Sequence, residues 1–214
     1  MAGTGSSGEL MQWTMSELIN NPNIFKKLRE EIDSVVGNTR LVDESDVSSL
    51  PYLQAVVKET LRLYPPLAVV MRQCRESCKI EGYDIPKKAM VALNLYSIMR
   101  EPKVWDNPNE FQPERFFASS KVQDVQNGNE IRERNLFDFV AFGGGRRVCP
   151  GTTLAYHTIH STIAAMVQCF DWKVGEGGQE TKVDMEVGSG LSMAKANSLV
   201  CLPVVHFSPS LFSD

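Results

Sequence analysis

Ten residues constrain this chain more than any others: Phe142-Gly143-Gly144-Gly145-Arg146-Arg147-Val148-Cys149-Pro150-Gly151. Three successive glycines let a backbone take conformations closed to other residues and approach a flat or bulky group closely. Arg146 and Arg147 supply positive charge for an anion. Pro150-Gly151 opens a helix, which places Cys149 where free N–H groups and the helix dipole favour a thiolate. A phosphate-cradling loop would need Gly-Lys-Ser/Thr at its end, and none is present. Two readings of Cys149 stay open on spacing alone. It is either a structural cysteine buried in a turn or a thiolate ligand whose neighbouring arginine binds an anionic group.

The remaining composition narrows the class of molecule. The chain has 214 residues, 43% of them hydrophobic and 22% charged, enough for one sizeable globular domain. A net charge of −4 gives no electrostatic case for nucleic acid. No run of eighteen apolar residues spans a bilayer, and the small N-terminal residues 1–8 read as a linker, not a signal peptide. Five cysteines, an odd number, favour a reducing compartment and leave at least one thiol free.

Hydrophobic periodicity predicts a helix carrying Leu10, Met11, Thr14, Met15, Leu18 and Ile19, uncapped at its start as if the chain began inside a longer element. Asn21-Pro22 ends it and caps a second helix, with Ile24, Phe25, Leu28, Ile32, Val35 and Val36 on one face and Gly37 as its stop. Pro51 opens a third helix through Leu53, Val56, Val57, Thr60, Leu61 and Tyr64, and Pro65-Pro66 terminates it. Residues 78–86 read as a hairpin and Met90 to Leu93 as a strand. Residues 101–135 show little periodicity. A last helix begins at Pro150-Gly151, with Leu154, Ile159, Ile163, Met166 and Val167 on its buried side. Glycines 175, 177, 178, 188 and 190 mark turns between short C-terminal strands. The expected class is α+β, mostly helical with small sheets.

Glu59 and Arg62 share a face of the third helix. Such pairs are usually solvated, but the apolar residues around this one predict burial, which requires further partners; Pro113-Glu114-Arg115-Phe116 could supply one. Cys74 and Cys78 have no third ligand nearby for zinc and read as structural. His157, His160 and His206 read as helix and tail residues without a paired acid, and Met11, Met15 and Met166 as core fillers. For Cys149 the ligand reading sharpens to an axial iron ligand, an arginine pairing with a porphyrin carboxylate.

Taken together, these motifs resemble the C-terminal part of a cytochrome P450, a heme-thiolate monooxygenase, of the plant microsomal type. Phe142, Gly145, Arg147, Cys149 and Gly151 match the fixed positions of F-x-x-G-x-R-x-C-x-G. Glu59 and Arg62 match E-x-x-R, residues 113–116 match P-E-R-F, and residues 2–7 align with A-G-T-D-T-S of the family's oxygen-activating helix.

The resemblance implies one partial domain over residues 1–214, the heme-ligand half of that fold. It implies heme b with Cys149 as proximal iron ligand, Phe142 beside its sulfur, Arg147 and Arg72 on heme propionates, and Gly145 and Gly151 shaping the loop. Glu59, Arg62 and Arg115 would form an ion triad beneath it. Leu67, Val70, Met71 and Leu191 would meet an apolar substrate, although ordinary core packing explains those stretches equally well. The implied partners are O2 and an NADPH-cytochrome reductase. The family's longer chains carry an anchor holding them on the cytoplasmic face of the endoplasmic reticulum; this chain contains none and on that ground would be cytoplasmic. Inside the helix motif the acid is replaced by Gly5 and the threonine by Ser6, so only Ser6 keeps a group able to relay a proton. Two functional expectations therefore stand: a monooxygenase, and a heme-binding fragment that cannot turn over. A third, a surface-acting protein without heme, fits the complete loop signature poorly.

Overall fold

A computed structural model describes residues 2–117, 139–175, 177–178 and 182–207 of the chain. The α-helices are α1 (Ala2–Asn20), α2 (Pro22–Val36), α3 (Pro51–Leu63), α4 (Leu95–Ile98), α5 (Glu114–Phe117) and α6 (Thr152–Cys169). The strands are β1 (Val69–Gln73), β2 (Cys78–Ile80), β3 (Tyr83–Ile85), β4 (Met90–Asn94), β5 (Phe170–Val174) and β6 (Cys201–Val205), paired antiparallel as β1–β4, β2–β3 and β5–β6. The fold is α+β, with a helical layer flanked by two-stranded sheets.

The core follows from apolar residues one helical turn apart. Leu10 and Leu18 of α1, Leu28 and Ile32 of α2, Leu53, Val56 and Val57 of α3, and Ile159, Ile163 and Val167 of α6 form one buried cluster. Each such side chain contributes roughly 1.5–3 kcal/mol by leaving water. A smaller cluster of Leu95, Met99 and Val140 receives Val70 from β1.

Distant side chains satisfy the helix ends. Glu31 on α2 accepts from the backbone N–H groups of Tyr52 (2.7 Å) and Leu53 (2.9 Å), capping α3 where Leu50 cannot. Arg29 donates to the carbonyls of Val167 and Phe170 and pairs with Asp171 at 2.6 Å, closing the C-terminal end of α6 onto α2.

Several expectations change. Residues 2–8 belong to α1 and are no linker. Ser7 Oγ donates to the Gly3 carbonyl at 2.8 Å, and a helix already anchored through Leu10, Trp13 and Leu18 extends cheaply over poor helix formers. Asn21 makes no N-cap bond; its amide turns back to the Glu17 carbonyl at 2.8 Å, because a junction this short leaves α1's last turn as the nearer acceptor. Val35 is 41% exposed beside buried Val36, since one residue of helix rotates a side chain off the stripe. Leu154 is 73% exposed for the same reason on α6, whose packed stripe begins further along at Ile159. Two of the three histidines face an acid: His157 Nδ1 lies 3.0 Å from Glu44, and His206 Nδ1 lies 3.5 Å from Asp171. Those acids come from elements distant in sequence, which periodicity cannot reveal. Strand β1 falls in the short extended stretch past residue 66, and its five residues show no clean alternation to mark its bounds. Of the segment 101–135, residues 101–117 are turns and the short α5, and the rest lies outside the described residues.

Glu59 and Arg62 are both fully buried. Arg62 donates from Nε and Nη2 to the two carboxylate oxygens of Glu59 at 2.8 Å each. Its remaining donors reach the carbonyls of Met99, Pro108 and Glu110. Arg115 Nε adds a bond to Glu59 Oε1 at 2.9 Å, and the Gln112 N–H adds another at 3.0 Å. Replacing Arg62 with Ala strands a buried carboxylate and is expected to cost roughly 3–5 kcal/mol in urea denaturation. Lys26→Ala, which removes an exposed pair with Glu30, should change stability by less than about 1 kcal/mol. Equal losses for the two variants would contradict the burial argument.

Buried Glu17 supplies a pH dependence. Desolvation raises its carboxyl above the ordinary range, and the bonds from Tyr64 and Asn21 only partly oppose that. A raised folded-state value means the folded chain holds the proton more tightly than the unfolded chain. The stability from this group is therefore present at acid pH and lost as pH rises through the raised value. Glu17→Gln should remove that loss, so the variant gains on the wild type between acid and neutral pH. Parallel denaturation midpoints for the two proteins across that range would disprove the assignment.

Candidate functional site

The glycine–arginine–cysteine loop is exposed from Gly143 to Pro150, with Phe142 half-buried beneath it. Its shape comes from its own backbone. The Gly143 N–H donates to the Val140 carbonyl at 2.8 Å, the Val148 N–H to Gly145 at 3.2 Å and the Cys149 N–H to Phe142 at 2.9 Å. Gly143 and Gly145 have φ of 76° and 64°, left-handed conformations that favour glycine. A Cβ at Gly145 would meet no atom within 4 Å, so backbone conformation and not crowding requires glycine there. At Gly151 a Cβ would lie 3.9 Å from Cys149 Sγ, so the missing side chain keeps one flank of the sulfur open.

Cys149 is exposed at the start of α6, and its carbonyl accepts from Thr152 Oγ1 at 2.8 Å. The Phe142 ring is 5.0 Å from that of Tyr156, which stacks at 5.4 Å on His160. Burial holds His160 below the usual imidazole range, and its Nδ1 faces the Tyr156 carbonyl at 2.5 Å. The carbonyl can only accept, so Nδ1 is the donor of this bond. Neither Arg146 nor Arg147 forms an ion pair among the described residues, so both guanidiniums are available to an anion.

Two stretches distant in sequence meet at Leu67 and Ser192. Leu67 pairs with Ser192 in an isolated antiparallel bridge, the Ala68 N–H donates to the Leu191 carbonyl at 3.2 Å, and the Met193 N–H donates to Pro66 at 3.4 Å. Leu67, Met71 and Leu191 remain 53%, 46% and 66% exposed. Val70 instead leans into the small core with Phe139 and Ala141, which ties β1 to the residues leading into the loop. Arg72, exposed on the same strand, donates to the Met71 carbonyl and carries no ion pair among the described residues. Ser6 is half-buried on α1, and a side chain at Gly5 would project into open space.

Sequence reasoning missed the group that anchors this corner. Trp13 stacks on Tyr64 at 4.0 Å and donates from Nε1 to the Met193 carbonyl at 2.5 Å. Tyr64 donates to Glu17 at 2.6 Å, and Lys195 Nζ lies 4.4 Å over the Trp13 ring. Its trace in the sequence is two aromatics, Trp13 within α1 and Tyr64 just past α3.

Residues 1–202 match the protein family described as "Cytochrome P450". The chain is 46% identical to 2-hydroxyisoflavanone synthase of Glycyrrhiza uralensis, covering 100% of this chain and 42% of that protein. It is 49% identical to cytochrome P450 705A12 of Arabidopsis thaliana (99% of this chain, 41% of that one). Identity is 46% to 3,9-dihydroxypterocarpan 6A-monooxygenase of Glycine max (98% and 40%). The chain thus spans about two-fifths of the length of these relatives. A zebrafish cytochrome P450 solved with abiraterone superposes with a TM-score of 0.78 at 26% identity, over 95% of this chain and 45% of that one.

The exposure of the loop cysteine has a direct chemical readout. Burial pushes the thiols of Cys169 and Cys201 up, which lowers their thiolate fraction, whereas Cys149 faces solvent. Iodoacetamide in mildly alkaline buffer should therefore modify Cys149 well before Cys169 or Cys201, as followed by peptide mass spectrometry. Equal rates in the folded protein would show that the loop is not open as described.

Proposed function

The chain belongs to the cytochrome P450 family, and on that premise we propose that it binds heme b through the Cys149 thiolate and forms the heme-ligand half of a monooxygenase domain acting on an apolar small molecule. One observation carries the reading: an exposed thiol on a glycine-shaped loop, beside guanidiniums that no acid neutralises within the described residues. The residues fit the group. Gly143, Gly144 and Gly145 leave a loop without side chains for a flat macrocycle to approach. Arg147 and Arg72 suit its two carboxylates, and Val148 and Leu154, half or more exposed, offer apolar contact.

The heme, when bound, supplies the one-electron and O2 chemistry of this class, with electrons from an NADPH-linked reductase. The chain's own residues do the rest. Cys149 provides an anionic sulfur as ligand, and the hydrogen bond from its N–H to the Phe142 carbonyl fixes its backbone. Phe142, which the resemblance sets beside that sulfur, would limit water at the ligand. Glu59, Arg62 and Arg115 hold the 106–115 segment rigid against α3. Leu67, Met71 and Leu191 form an apolar wall for substrate, with Val70 filling behind it. The Ser6 hydroxyl holds a proton for delivery, and Gly5 beside it adds none.

The relatives named for isoflavanone and pterocarpan chemistry support a plant secondary metabolite as the substrate class. Their enzyme class supports O2 and a reductase as partners, and the cytoplasmic face of the endoplasmic reticulum as the setting of the whole protein. Among the described residues no helix is long and apolar enough to cross a membrane.

The test is the absorption spectrum of the ferrous–carbon monoxide complex after heme loading. A thiolate-type band is expected, abolished in Cys149→Ala and weakened in yield by Arg147→Leu. A histidine-type band, or no heme uptake by folded protein, would overturn the reading. Product formed per NADPH consumed, with reductase and a panel of apolar substrates, then tests turnover; Gly5→Asp should raise that ratio.

A further inference from the structure

Strand β1 ends at Gln73, and after four intervening residues β2 begins at Cys78. Cys74 occupies the first position of this turn and is anchored at the backbone. Its N–H donates to the Ala89 carbonyl, and its own carbonyl accepts from the Lys88 N–H, both at 2.8 Å. Its thiol donates to the Glu76 carbonyl at 2.7 Å. With that proton committed, the Cys74 sulfur is free to accept from the Cys78 thiol, whose Sγ lies 3.7 Å away. That bond is the main reason the Cys78 thiol is held above its ordinary value. Cys78 is exposed and Cys74 half-buried, so a small molecule reaches the pair from solvent. The described residues offer no cluster of three ligands for a metal here, and the heme reading makes no use of either cysteine.

We propose that Cys74 and Cys78 form a redox-modification site, closing to an intramolecular disulfide by exchange with a low-molecular-weight disulfide such as oxidised glutathione. The sulfurs are already in van der Waals contact, and a bond of about 2 Å requires a movement of roughly 1.7 Å between them. In the first exchange the Cys78 thiolate attacks one sulfur of oxidised glutathione. This forms the mixed disulfide and releases one glutathione thiolate, which takes up the Cys78 proton. The Cys74 thiolate then attacks the Cys78 sulfur, the Cys78–glutathione bond breaks, and a second glutathione leaves with the Cys74 proton. The two cysteines lose two electrons, and the glutathione disulfide gains them as two thiols. The second step is intramolecular, so it outruns attack by free thiols when the geometry is already set. A ring this small removes little chain entropy, so the bond acts locally: it locks the end of β1, and through Lys88 and Ala89 the approach to β4, to the β2–β3 hairpin.

The experiment uses the folded chain in buffers of graded oxidised-to-reduced glutathione, with acid quench, alkylation and tryptic mass spectrometry. Cleavage after Arg72, Arg75 and Lys79 yields Gln73–Arg75 and Glu76–Lys79 as separate peptides, so the disulfide appears as a linked pair. The expected result is that both peptides lose alkylation together, the linked pair appears, and dithiothreitol reverses it. Cys74→Ser should instead leave Cys78 as a persistent glutathione adduct, and Cys78→Ser should abolish the linked pair. A wild-type chain that stops at the glutathione adduct, or that links only after unfolding in urea, overturns the proposal, as does retention of both free thiols in the most oxidising buffer.

Discussion

The carboxylate of Glu59 has no access to water, and the arrangement of the middle of the chain follows from that. A buried charge is tolerable only if nearly all its hydrogen-bonding capacity is used. Glu59 accepts from Arg62 twice, from Arg115 and from the Gln112 backbone, while Arg62 spends its other donors on carbonyls of Met99, Pro108 and Glu110. The network therefore ties α3 to the turn after α4 and to the irregular segment before α5. Little regular secondary structure organises residues 99–113, so buried ionic bonds take the place of a strand ladder. Arg62 also lies 5.1 Å from the Trp105 ring centroid, which gives the guanidinium an aromatic neighbour inside the core.

Similar logic, with side chains serving backbone groups far away in sequence, recurs around the molecule. Glu31 caps α3 from α2, Arg29 closes α6, and the amide of Gln168 on α6 accepts from the Val42 N–H and donates to the Arg40 carbonyl. Elsewhere Trp13, Tyr64, Glu17 and Lys195 join α1 to the chain after Leu191. These contacts lie next to the backbone bonds that join the Leu67 and Leu191 stretches, because Trp13 donates to the Met193 carbonyl. Polar bonds in a low-dielectric setting strengthen one another when each is satisfied, and that makes the corner rigid.

The cysteine loop is held differently. Its bonds are short-range and made by its own backbone, its glycines carry the turns, and its side chains face outward. It is an exposed loop resting on a firm base: Phe142 and Tyr156 beneath it continue into the main core through α6. The division leaves the Cys149 sulfur with an open flank while backbone hydrogen bonds fix the loop that carries it.

Much of this was legible in the sequence. Apolar spacing located α2, α3 and the buried half of α6, because burial on one face of a helix leaves a periodic trace. Pro22, Gly37 and Pro51 marked helix ends, because each acts through its own backbone. The loop from Phe142 to Gly151 was readable for the same reason, and so was the family. Partnerships between distant residues were not readable: the Glu31 cap, the acids facing His157 and His206, and the Trp13–Tyr64 stack have no fixed spacing. Exposure was misjudged at Val35 and Leu154, where a residue continues an apolar pattern but the packing partner ends a turn away. Burial of Glu59 and Arg62 was inferable only because the apolar residues around them demanded it. Local backbone chemistry and periodicity are properties of neighbouring residues, so the sequence alone determined the elements and the loop. Which faces meet, and which charges lose their water, depend on how those elements pack, and only the tertiary structure decided them.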